Sequence, residues 1–334
     1  MNKIKIGVLG LGGIAQVMHL PALAKLDNVE ISAVCDYDFS KAKVIGNKYN
    51  VKKVYKNLEL MLKEGEDLNA IIICTPTEHH EEHAIMCLEA GKNVLIEKPL
   101  ARNYNEAQRI VEAAEKANKL LMVGMNNRFR GDVMLQRSFI LAGEVGNLFY
   151  IKTGWLKTQS SNTKWFLEKD KSGGGVFLDN GIVMLDLGMW MFGFPEVHSV
   201  TGINYFHNTK SVEDSNFTLV KFKNKACLTI EVSWSFLRGG EFFYCNVYGE
   251  KGSSSINPLR VFKKMDSELY EITPKTKKDT GATKSSFEYQ LKHFLGAIKG
   301  YHKLLSSGKE ALKVMNVVDI VYKSAKAGKE IIIK

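Results

Sequence analysis

The first 124 residues alternate short apolar runs with longer segments in which apolar residues recur every three to four positions. The apolar runs predict β-strands at 4–9, 29–35, 70–74, 93–96 and 120–123. The intervening segments predict helices at 14–26, 39–49, 81–90 and 104–118. Because strands that alternate with helices build a parallel sheet covered by helices, this pattern predicts an α/β domain over residues 1–124.

The pattern changes after residue 124, where a predicted helix at 131–142 precedes a series of alternating apolar and polar runs. These runs predict strands at 148–156, 197–205, 217–222, 226–235 and 242–248. Turn-forming residues at 223–225 and 249–252 separate pairs of runs, as in antiparallel hairpins. Two helices, at 287–299 and 311–327, and a short strand at 331–333 follow. We therefore predict an α+β domain over 125–334 with a large, open, mostly antiparallel sheet.

The first predicted strand runs into a glycine-rich turn of the form Gly-x-Gly-x-x-Ala, which begins at Gly10. Gly10 permits a tight turn, and Gly12 lets the backbone approach a pyrophosphate closely. The small side chain of Ala15 lets the next helix pack against the strand, so that the N–H groups of Gly13 and Ile14 point towards the anion. This turn predicts that the first domain is a Rossmann domain that binds a dinucleotide.

Asp36 and Tyr37 follow the second predicted strand, at the place where such folds hold the adenosine ribose. A carboxylate accepts a hydrogen bond from a ribose 2′-hydroxyl and repels a 2′-phosphate. We therefore expect NAD as the cofactor and NADP as the less favoured one. Lys41 and Lys43 lie close enough in sequence to attract a 2′-phosphate if the loop folds back.

Length, charge and cysteine content narrow the class of protein further. A chain of 334 residues exceeds one compact core, which agrees with two domains. The 46 basic and 36 acidic residues give a net charge of +10, but the lysines are dispersed and no nucleic-acid-binding motif is present. We expect a small-molecule partner, with neither nucleic acid nor a membrane. The five cysteines lie mostly in apolar runs without metal-ligand spacing, so we expect reduced thiols and a cytoplasmic location.

Four segments of the chain resemble, in order, the motifs of one oxidoreductase family. Glu97-Lys98-Pro99 ends a predicted buried strand, where a pair of charged residues is expected only if it has a structural or functional role. The other segments are Thr75-Pro76 with His80, Asn126 to Phe129, and the run from Gly173 to Gly181. Over nearly its whole length, the chain thereby resembles the glucose-fructose oxidoreductase, inositol dehydrogenase and rhizopine catabolism (Gfo/Idh/MocA) family.

The resemblance implies a Rossmann domain followed by an α/β domain with an open sheet, and NAD or NADP as cofactor. It implies oxidation or reduction of a CH–OH group in a sugar, polyol or nucleotide sugar. It also implies a homodimer or homotetramer formed through the C-terminal sheet. The residues that we assign to the cofactor side on this basis are Thr75, Pro76, His80, Glu97, Lys98 and Asn126.

Lys98 and Asp179 are the two residues that we expect to be catalytic. Hydride transfer leaves an alcohol that must lose its proton, so a base and a polarising cation near the reacting carbon each lower the barrier. Lys98 suits the role of the polarising cation. In the family the residue matching Asp179 lines the substrate pocket, and the three glycines before it would allow close approach to a ligand. The alternative role for Asp179 is an N-cap of a helix over 182–192.

Val183 departs from the family pattern, because relatives usually carry a histidine there that is regarded as the general base. Three explanations remain open. Lys98 takes the proton, Asp179 or another group takes it, or the protein no longer catalyses the usual step. Two further functions therefore stay as alternatives: a glycosidase-type enzyme of the same fold that retains its NAD, and a non-catalytic dinucleotide-binding sensor.

Trp165, Arg128 and Lys157 are candidates for contact with the substrate. Trp165 lies in a polar loop before the three glycines, where an aromatic ring can stack on a sugar, and the two charged residues are weaker candidates. The histidines at 79, 80 and 83 superficially suggest a metal site. Because a His-Glu-x-x-His order and a third ligand are both missing, we expect no metal.

Overall fold

The computed structural model describes residues 3–158, 164–236, 239–275 and 281–333. These residues belong to two compact units. The first unit consists of Met1–Phe129 and Gly281–Leu312, and the second consists of Arg130–Thr280 and Lys313–Lys334. The sequence pattern had placed all of 125–334 in the second domain, so the segment 281–312 is a difference. Its apolar residues Leu291, Phe294 and Leu295 are buried in the hydrophobic core that also contains Ile6 and Val8.

The strands and helices of the described residues carry the labels used below. The strands are β1 Ile4–Leu9, β2 Val29–Cys35, β3 Lys53–Tyr55, β4 Ala70–Ile73, β5 Asn93–Glu97, β6 Leu121–Gly124, β7 Leu148–Leu156, β8 Val197–Tyr205, β9 Ser215–Phe222, β10 Cys227–Ser233, β11 Phe242–Gly249, β12 Gly252–Ser255, β13 Arg260–Met265, β14 Glu268–Glu271 and β15 Ile331–Ile332. The α-helices are α1 Leu20–Leu23, α2 Phe39–Lys48, α3 Leu58–Glu64, α4 His80–Glu89, α5 Tyr104–Ala117, α6 Gly131–Leu141, α7 Lys169–Ser172, α8 Ile182–Phe192, α9 Ala282–Ile298 and α10 Gly308–Ala327. Further helical turns cover Ala15–His19, Thr77–His79, Asn126–Phe129, Lys164–Leu167 and Phe177–Gly181.

The first unit contains a six-stranded parallel sheet in the order β3-β2-β1-β4-β5-β6. Every residue of β4 is fully buried, as are Val94, Leu95 and Ile96 of β5, because helices cover both faces of such a sheet. Doubly wound sheets of this order bind ligands outside the carboxyl ends of their strands, where the chain order reverses beside β1. The predicted Rossmann fold is confirmed. The loops after β1, β2, β4 and β5 are therefore expected to form the cofactor-binding site.

The second unit contains a nine-stranded sheet in the order β14-β13-β12-β11-β7-β10-β9-β8-β15. Within the described residues, β7 and β10 pair in parallel and the other neighbours are antiparallel. Both predicted turns are hairpin turns in the structure, one between β9 and β10 and one between β11 and β12. The prediction of a large, mostly antiparallel sheet is therefore confirmed.

Helix α8 is the central helix of the second unit. Its residues from Ile182 to Met191 are all buried, and it packs against β7, β10 and β11. In the part of the chain that the structure describes, the stretch Lys169–Phe192 is long and apolar enough to cross a membrane by length and composition. Because 89% of its apolar window is buried inside the protein, this stretch has the surroundings of a core helix.

The sequence pattern did not predict β3, α3 or the hairpin strands β12, β13 and β14. β12 has the sequence Gly-Ser-Ser-Ser, and all four residues of β14 are exposed. Neither strand carries the apolar run by which strands are recognised. Their conformation depends on hydrogen bonds to a neighbouring strand, which a local pattern does not reveal.

Candidate active site

The turn after β1 has the backbone shape that a dinucleotide-binding loop requires. Gly10 has a φ of +84°, and a Cβ there would lie 2.7 Å from the carbonyl carbon of Cys74 and 2.8 Å from the nitrogen of Thr75. No atom lies within 4 Å of a Cβ built at Gly12 or Gly13, and both residues are exposed. The backbone at these two glycines therefore borders open space, into which a pyrophosphate fits.

Asp36 joins this turn to the start of α2. Its Oδ2 accepts a hydrogen bond from the N–H of Leu11 at 2.7 Å. Its Oδ1 accepts from the N–H of Asp38 at 2.9 Å and from the Nζ of Lys41 at 3.0 Å. Tyr37, beside it, is highly exposed. The carboxylate thus lies directly behind the glycine turn, as expected of a residue that binds the adenosine ribose.

His80 connects the loop after β4 with the loop after β5. Its Nε2 lies 2.9 Å from the carbonyl oxygen of Thr75, and its Nδ1 lies 2.8 Å from that of Pro99. Burial lowers the pKa of His80, while the two carbonyl oxygens act in the opposite direction. Because the ring is 1% exposed and both nitrogens are occupied, His80 holds the two loops in place in this structure, and its role on the cofactor side stays a prediction.

His19 is a buried residue that the sequence reasoning missed. Its Nε2 lies 2.6 Å from the Oε1 of Glu97, and both side chains are buried. The Glu97 carboxylate also lies against Gly124 of β6, where an added Cβ would be 3.0 Å from Oε1. Glu97 is therefore enclosed by protein and acts as an anchor beside Lys98, and its contact with the cofactor stays a prediction. A charged residue that ends a buried strand needs a polar partner, and this was the available signal.

Lys98 directly follows β5 and is half-buried, with Pro99 after it across a cis peptide bond. Successive residues of an extended chain point in opposite directions, so Lys98 does not share the enclosed surroundings of Glu97. Its position is the carboxyl edge of the parallel sheet, where such sheets bind ligands.

The segment after β6 contains two predicted site residues with different surroundings. Asn126 is half-buried, and its Nδ2 donates to the Oγ of Ser286 at 2.9 Å. Arg128 is buried; its guanidinium donates to the carbonyl oxygen of Leu305 and lies 2.8 Å from the carboxylate of Glu310. Its charge is enclosed and forms an ion pair within the first unit, and contact of Arg128 with a substrate stays a prediction.

Asp179 lies inside the helical turn Phe177–Gly181, and it is half-buried between the buried residues Leu178 and Asn180. The residue that flanks the start of α8 is Gly181, so the alternative that Asp179 is the N-cap is wrong. The Oδ1 of Asn180 accepts from the Nε1 of Trp234 at 2.8 Å. This bond ties the turn that carries Asp179 to the end of β10.

Glu213 and Tyr322 hold the glycine segment that precedes Asp179. The Glu213 carboxylate accepts from the N–H of Gly175 at 3.1 Å, from the N–H of Phe177 at 3.0 Å and from the hydroxyl of Tyr322 at 2.8 Å. Burial raises the pKa of Glu213, partly offset by these hydrogen bonds. Burial, together with the Glu213 charge, raises the pKa of Tyr322 well above its usual range.

The glycines in this segment are required by the protein itself. A Cβ at Gly174 would collide with the hydroxyl of Tyr322, and a Cβ at Gly175 would collide with the carbonyl oxygen of Glu213. The sequence alone predicts that a ligand approaches these glycines closely. The structure corrects this interpretation, because the space beside both residues is filled by other parts of the second unit.

Three further predicted positions lie in the second unit. Val183 is buried among the apolar residues of α8. The Trp165 ring is partly exposed, and its centroid lies 4.2 Å from that of Phe166. The Nζ of Lys157 lies 4.3 Å from the centroid of the Trp155 ring and 3.7 Å from the carboxylate of Glu241. Contact of Trp165 and Lys157 with a substrate stays a prediction.

The histidines around α4 are not arranged as metal ligands. Among the described residues, no group of three or more His, Cys, Asp and Glu side chains is placed to hold a metal ion. The Nδ1 of His83 lies 3.1 Å from the Oγ1 of Thr75. Burial and the neighbouring His79 lower the pKa of His83 to about 4, so this ring is neutral at pH 7 and can serve as a hydrogen-bond partner.

The chain matches two family descriptions over almost its whole length. Residues 4–125 match the oxidoreductase family with an NAD-binding Rossmann fold, and residues 137–333 match the C-terminal alpha/beta domain of the same oxidoreductase family. The protein is therefore an NAD(P)-dependent oxidoreductase with a Rossmann domain. It belongs to the Gfo/Idh/MocA family.

Individual relatives cover most of the chain at low identity. D-glucoside 3-dehydrogenase of Escherichia coli (strain K12) is 26% identical in an alignment of 345 positions, gaps included, which covers 98% of this chain and 97% of that protein. The scyllo-inositol 2-dehydrogenase (NADP(+)) IolW of Bacillus subtilis (strain 168) is 26% identical over 228 residues, 68% of this chain and 63% of the relative. The WlbA dehydrogenase structure from Bordetella pertussis, in complex with NADH and UDP-GlcNAcA, has a TM-score of 0.85 at 22% identity and covers 100% of this chain and 99% of its own. At this identity the structural likeness shows the fold.

Proposed function

We propose that this oxidoreductase transfers a hydride between a nicotinamide cofactor and a hydroxyl-bearing carbon of a sugar, polyol or nucleotide sugar. The observation that carries the proposal is the position of Lys98 at the carboxyl edge of the parallel sheet. A glucoside dehydrogenase and an inositol dehydrogenase among the relatives support a polyhydroxylated substrate. A bound nicotinamide supplies the hydride acceptor or donor.

In this proposal, the ammonium group of Lys98 donates a hydrogen bond to the substrate oxygen at the reacting carbon. A cation there stabilises the negative charge that develops on an alcohol oxygen during oxidation, and it polarises a carbonyl in the reverse direction. The two residues beside Lys98 are held in place, since His19 pairs with Glu97 and His80 contacts the carbonyl of Pro99. A backbone fixed on both sides keeps the ammonium group in position without reorganisation.

Asp179 is the second residue that we propose to be catalytic, as a participant in proton transfer. It is half-buried on a turn that Glu213 and Tyr322 anchor through the preceding glycines. Because Val183 is apolar, this proposal passes the proton to another group, and Asp179 is the candidate that the second unit offers.

On the cofactor side, we propose that backbone groups bind the pyrophosphate and that side chains contact the ribose. Gly12, Gly13 and Ile14 approach the pyrophosphate, and Asp36 and Tyr37 contact the adenosine ribose. Further contacts come from Thr75, Pro76 and Asn126, which are partly accessible at the same edge of the sheet.

A screen of sugars, polyols and nucleotide sugars for NADH formation tests this function. We expect at least one compound to be turned over by the wild type and by Lys116→Met, a variant of an exposed lysine on α5, but not by Lys98→Met. Consumption of a glycoside without net NADH formation would favour the NAD-retaining glycosidase. NAD binding without turnover of any compound, in either direction, would favour the sensor.

We also propose that the second unit forms a homodimer or homotetramer through the sheet face that α8 does not cover. The Oγ1 of Thr153 contacts the carbonyl oxygen of Met184 at 3.3 Å, so alternate residues of β7 such as Tyr150 face away from α8. The rings of Tyr150 and Tyr248 stack there, 5.6 Å apart. Partly exposed aromatic residues of this kind are enriched in protein interfaces.

Light scattering during size-exclusion chromatography tests the oligomer. Tyr248→Glu is expected to lower the mass to that of one chain, because it places a charge in the proposed interface. Leu141→Glu, at an exposed position on α6, is the control and is expected to keep the wild-type mass. A monomeric wild type would contradict the proposal.

We propose a cytoplasmic location and a small-molecule partner, with neither nucleic acid nor a membrane. The five free cysteines and the dispersed lysines support this combination. Mobility-shift assays with DNA and RNA, and sedimentation with anionic vesicles, are expected to show no binding at physiological ionic strength. Binding in either assay would contradict this part of the proposal.

A further inference from the structure

Three buried polar side-chain atoms of the first unit have no hydrogen-bond partner among the described residues. They are the Nδ1 of His19 and the Nε2 and Oε1 of Gln290. Both side chains are completely buried, one at the end of the helical turn Ala15–His19 and one in α9. Because a buried polar atom without a partner is costly, each such atom in a folded protein needs an explanation.

Helix α9 brings the Gln290 amide to the His19 ring. The ring of His19 packs edge-on against the ring of Phe287, with 5.3 Å between the two centroids. Gln290 follows Phe287 by three residues, so the two side chains are neighbours on the same side of α9. An amide carries a donor nitrogen and an acceptor oxygen, and rotation of its end presents either one to the Nδ1 of His19.

The other ring nitrogen of His19 contacts the residue before Lys98. Nε2 lies 2.6 Å from the Oε1 of Glu97. Towards an ionised carboxylate, which only accepts hydrogen bonds, the ring donates from Nε2 and leaves Nδ1 as an acceptor. The nitrogen of the Gln290 amide is the donor that such an acceptor requires. The hydrogen bond at one ring nitrogen then determines which nitrogen carries the proton.

Helix α9 contacts the same edge of the parallel sheet a second time, one turn before Gln290. The Oγ of Ser286 accepts from the Nδ2 of Asn126 at 2.9 Å and donates to the carbonyl oxygen of Thr283 at 2.7 Å. The buried polar side chains of α9 therefore face two parts of the candidate site, the residue Asn126 and the pair of His19 with Glu97.

We propose that Gln290 is a positioning residue for Lys98, because its amide pairs with the Nδ1 of His19, directly or through one bound water molecule. His19 in turn holds the Glu97 carboxylate, and the chain continues from Glu97 into Lys98. The inference rests on the proposed function, since Lys98 is the group that acts on the reacting oxygen. It assigns to α9 the role of keeping that group in position during the reaction.

Gln290→Met in the full chain tests the proposal, because methionine keeps the length and approximate volume of glutamine without its hydrogen-bonding atoms. The variant is expected to lower kcat about tenfold, since Lys98 is held less precisely. KM and NADH affinity are expected to stay within about threefold, because no binding group is removed. The melting temperature is expected to fall, because the Nδ1 of His19 loses its partner. An unchanged kcat, or a higher melting temperature, would overturn the inference.

Gln136→Met is the matched control. Gln136 is also completely buried, in α6 of the second unit, and its Nε2 donates to the carbonyl oxygen of Cys245 at 3.0 Å. Its replacement is expected to lower the melting temperature and to leave kcat within about twofold of the wild type, measured below the unfolding transition. An equal loss of kcat in both variants would assign Gln290 to stability alone and refute its positioning role.

A double variant tests whether Gln290 acts through His19. His19→Gln keeps a donor for Glu97 but has no second ring nitrogen. In this background, Gln290→Met is expected to lower kcat by less than about twofold further, because both substitutions remove the same link. A further tenfold loss would show that Gln290 acts by another route, which contradicts the proposal.

The His19 ring also gives a readout that does not require turnover. In protein labelled with ¹⁵N at histidine, the signals that disappear in His19→Gln belong to this ring. The wild type is expected to show one tautomer with the proton on Nε2, and Gln290→Met is expected to shift the Nδ1 signal. An unchanged Nδ1 signal overturns the inference. If no compound in the substrate screen is turned over, the proposed function fails, and the Nδ1 signal alone then decides whether Gln290 holds His19.

Discussion

The glycine turn after β1 and the glycine segment before Asp179 have similar sequences but need their glycines for different reasons. A Cβ at Gly12 or Gly13 would meet no atom of the protein. A Cβ at Gly174 or Gly175 would collide with Tyr322 or with Glu213. A cluster of glycines therefore marks a close approach of the backbone, and the tertiary structure decides whether a ligand or the protein itself makes that approach.

The largest expected effect is that of a substitution at Lys98, the residue that we propose to act in the chemical step. Lys98→Met should lower kcat by roughly 10²–10⁴-fold, because it removes the proposed cation at the reacting oxygen. NADH affinity should stay within about threefold, since Lys98 is assigned to the substrate oxygen and not to the pyrophosphate. Steady-state kinetics and calorimetry measure both quantities. Turnover comparable with that of Lys116→Met would remove Lys98 from the mechanism.

Alanine in each glycine segment tests the comparison directly. Gly175→Ala should destabilise the protein by about 1–3 kcal/mol, because the new methyl group has no space beside Glu213, and it should leave NAD affinity unchanged. Gly12→Ala should leave the melting temperature nearly unchanged and weaken NAD binding about tenfold, because the methyl group occupies the open space for the pyrophosphate. Thermal unfolding measures the change in stability of each variant, and calorimetric titration measures its affinity for NAD. A stable Gly175→Ala protein would show that Glu213 does not require this glycine.

Two histidines of the first unit and Glu213 of the second unit should contribute to the pH dependence of stability in opposite directions. Burial lowers the pKa of His83 and of His293 in the first unit to about 4, so the unfolded chain binds more protons than the folded chain between pH 4 and 6.5. Their contribution to stability is therefore lost as the pH falls through this window. For Glu213, whose pKa is raised, the folded chain binds more protons, and stability is lost as the pH rises above about 4.5.

Calorimetric unfolding between pH 7 and 4.5 measures this dependence. His83→Gln combined with His293→Gln should remove about 2 kcal/mol of the loss of stability on acidification, after allowance for partial exposure of the rings. His198→Gln, at an exposed position on β8, is the control and should not change the slope. A double variant with the wild-type slope would contradict the assignment.

The smallest expected effect concerns the histidines as possible bases. His80→Gln, His198→Gln and His207→Gln should each lower turnover by about tenfold or less, since none is an obligatory base if Lys98 and Asp179 manage the proton. Collapse of turnover in one variant with cofactor binding preserved would show that this histidine replaces the residue missing at Val183.

Local pattern was sufficient for much of the fold. The apolar runs of β1, β2, β4 and β5 and the two hairpin turns of the second sheet were predicted within a few residues. Short polar strands such as β12 were missed because their pairing partners, and not their own side chains, determine them. The position of segment 281–312 was missed because an apolar helix face does not indicate which core it will join.

The sequence by itself determined the family, the Rossmann domain, the phosphate-binding turn and the candidate residues Asp36, Lys98 and Asp179, because these depend on residue type at fixed spacing. Only the tertiary structure decided what lies beside each side chain. It enclosed Arg128 with Glu310, paired Glu97 with His19, and placed Lys41 on the carboxylate of Asp36. Burial and charge pairing depend on residues that are distant in the chain, and contacts of that kind exist only after folding.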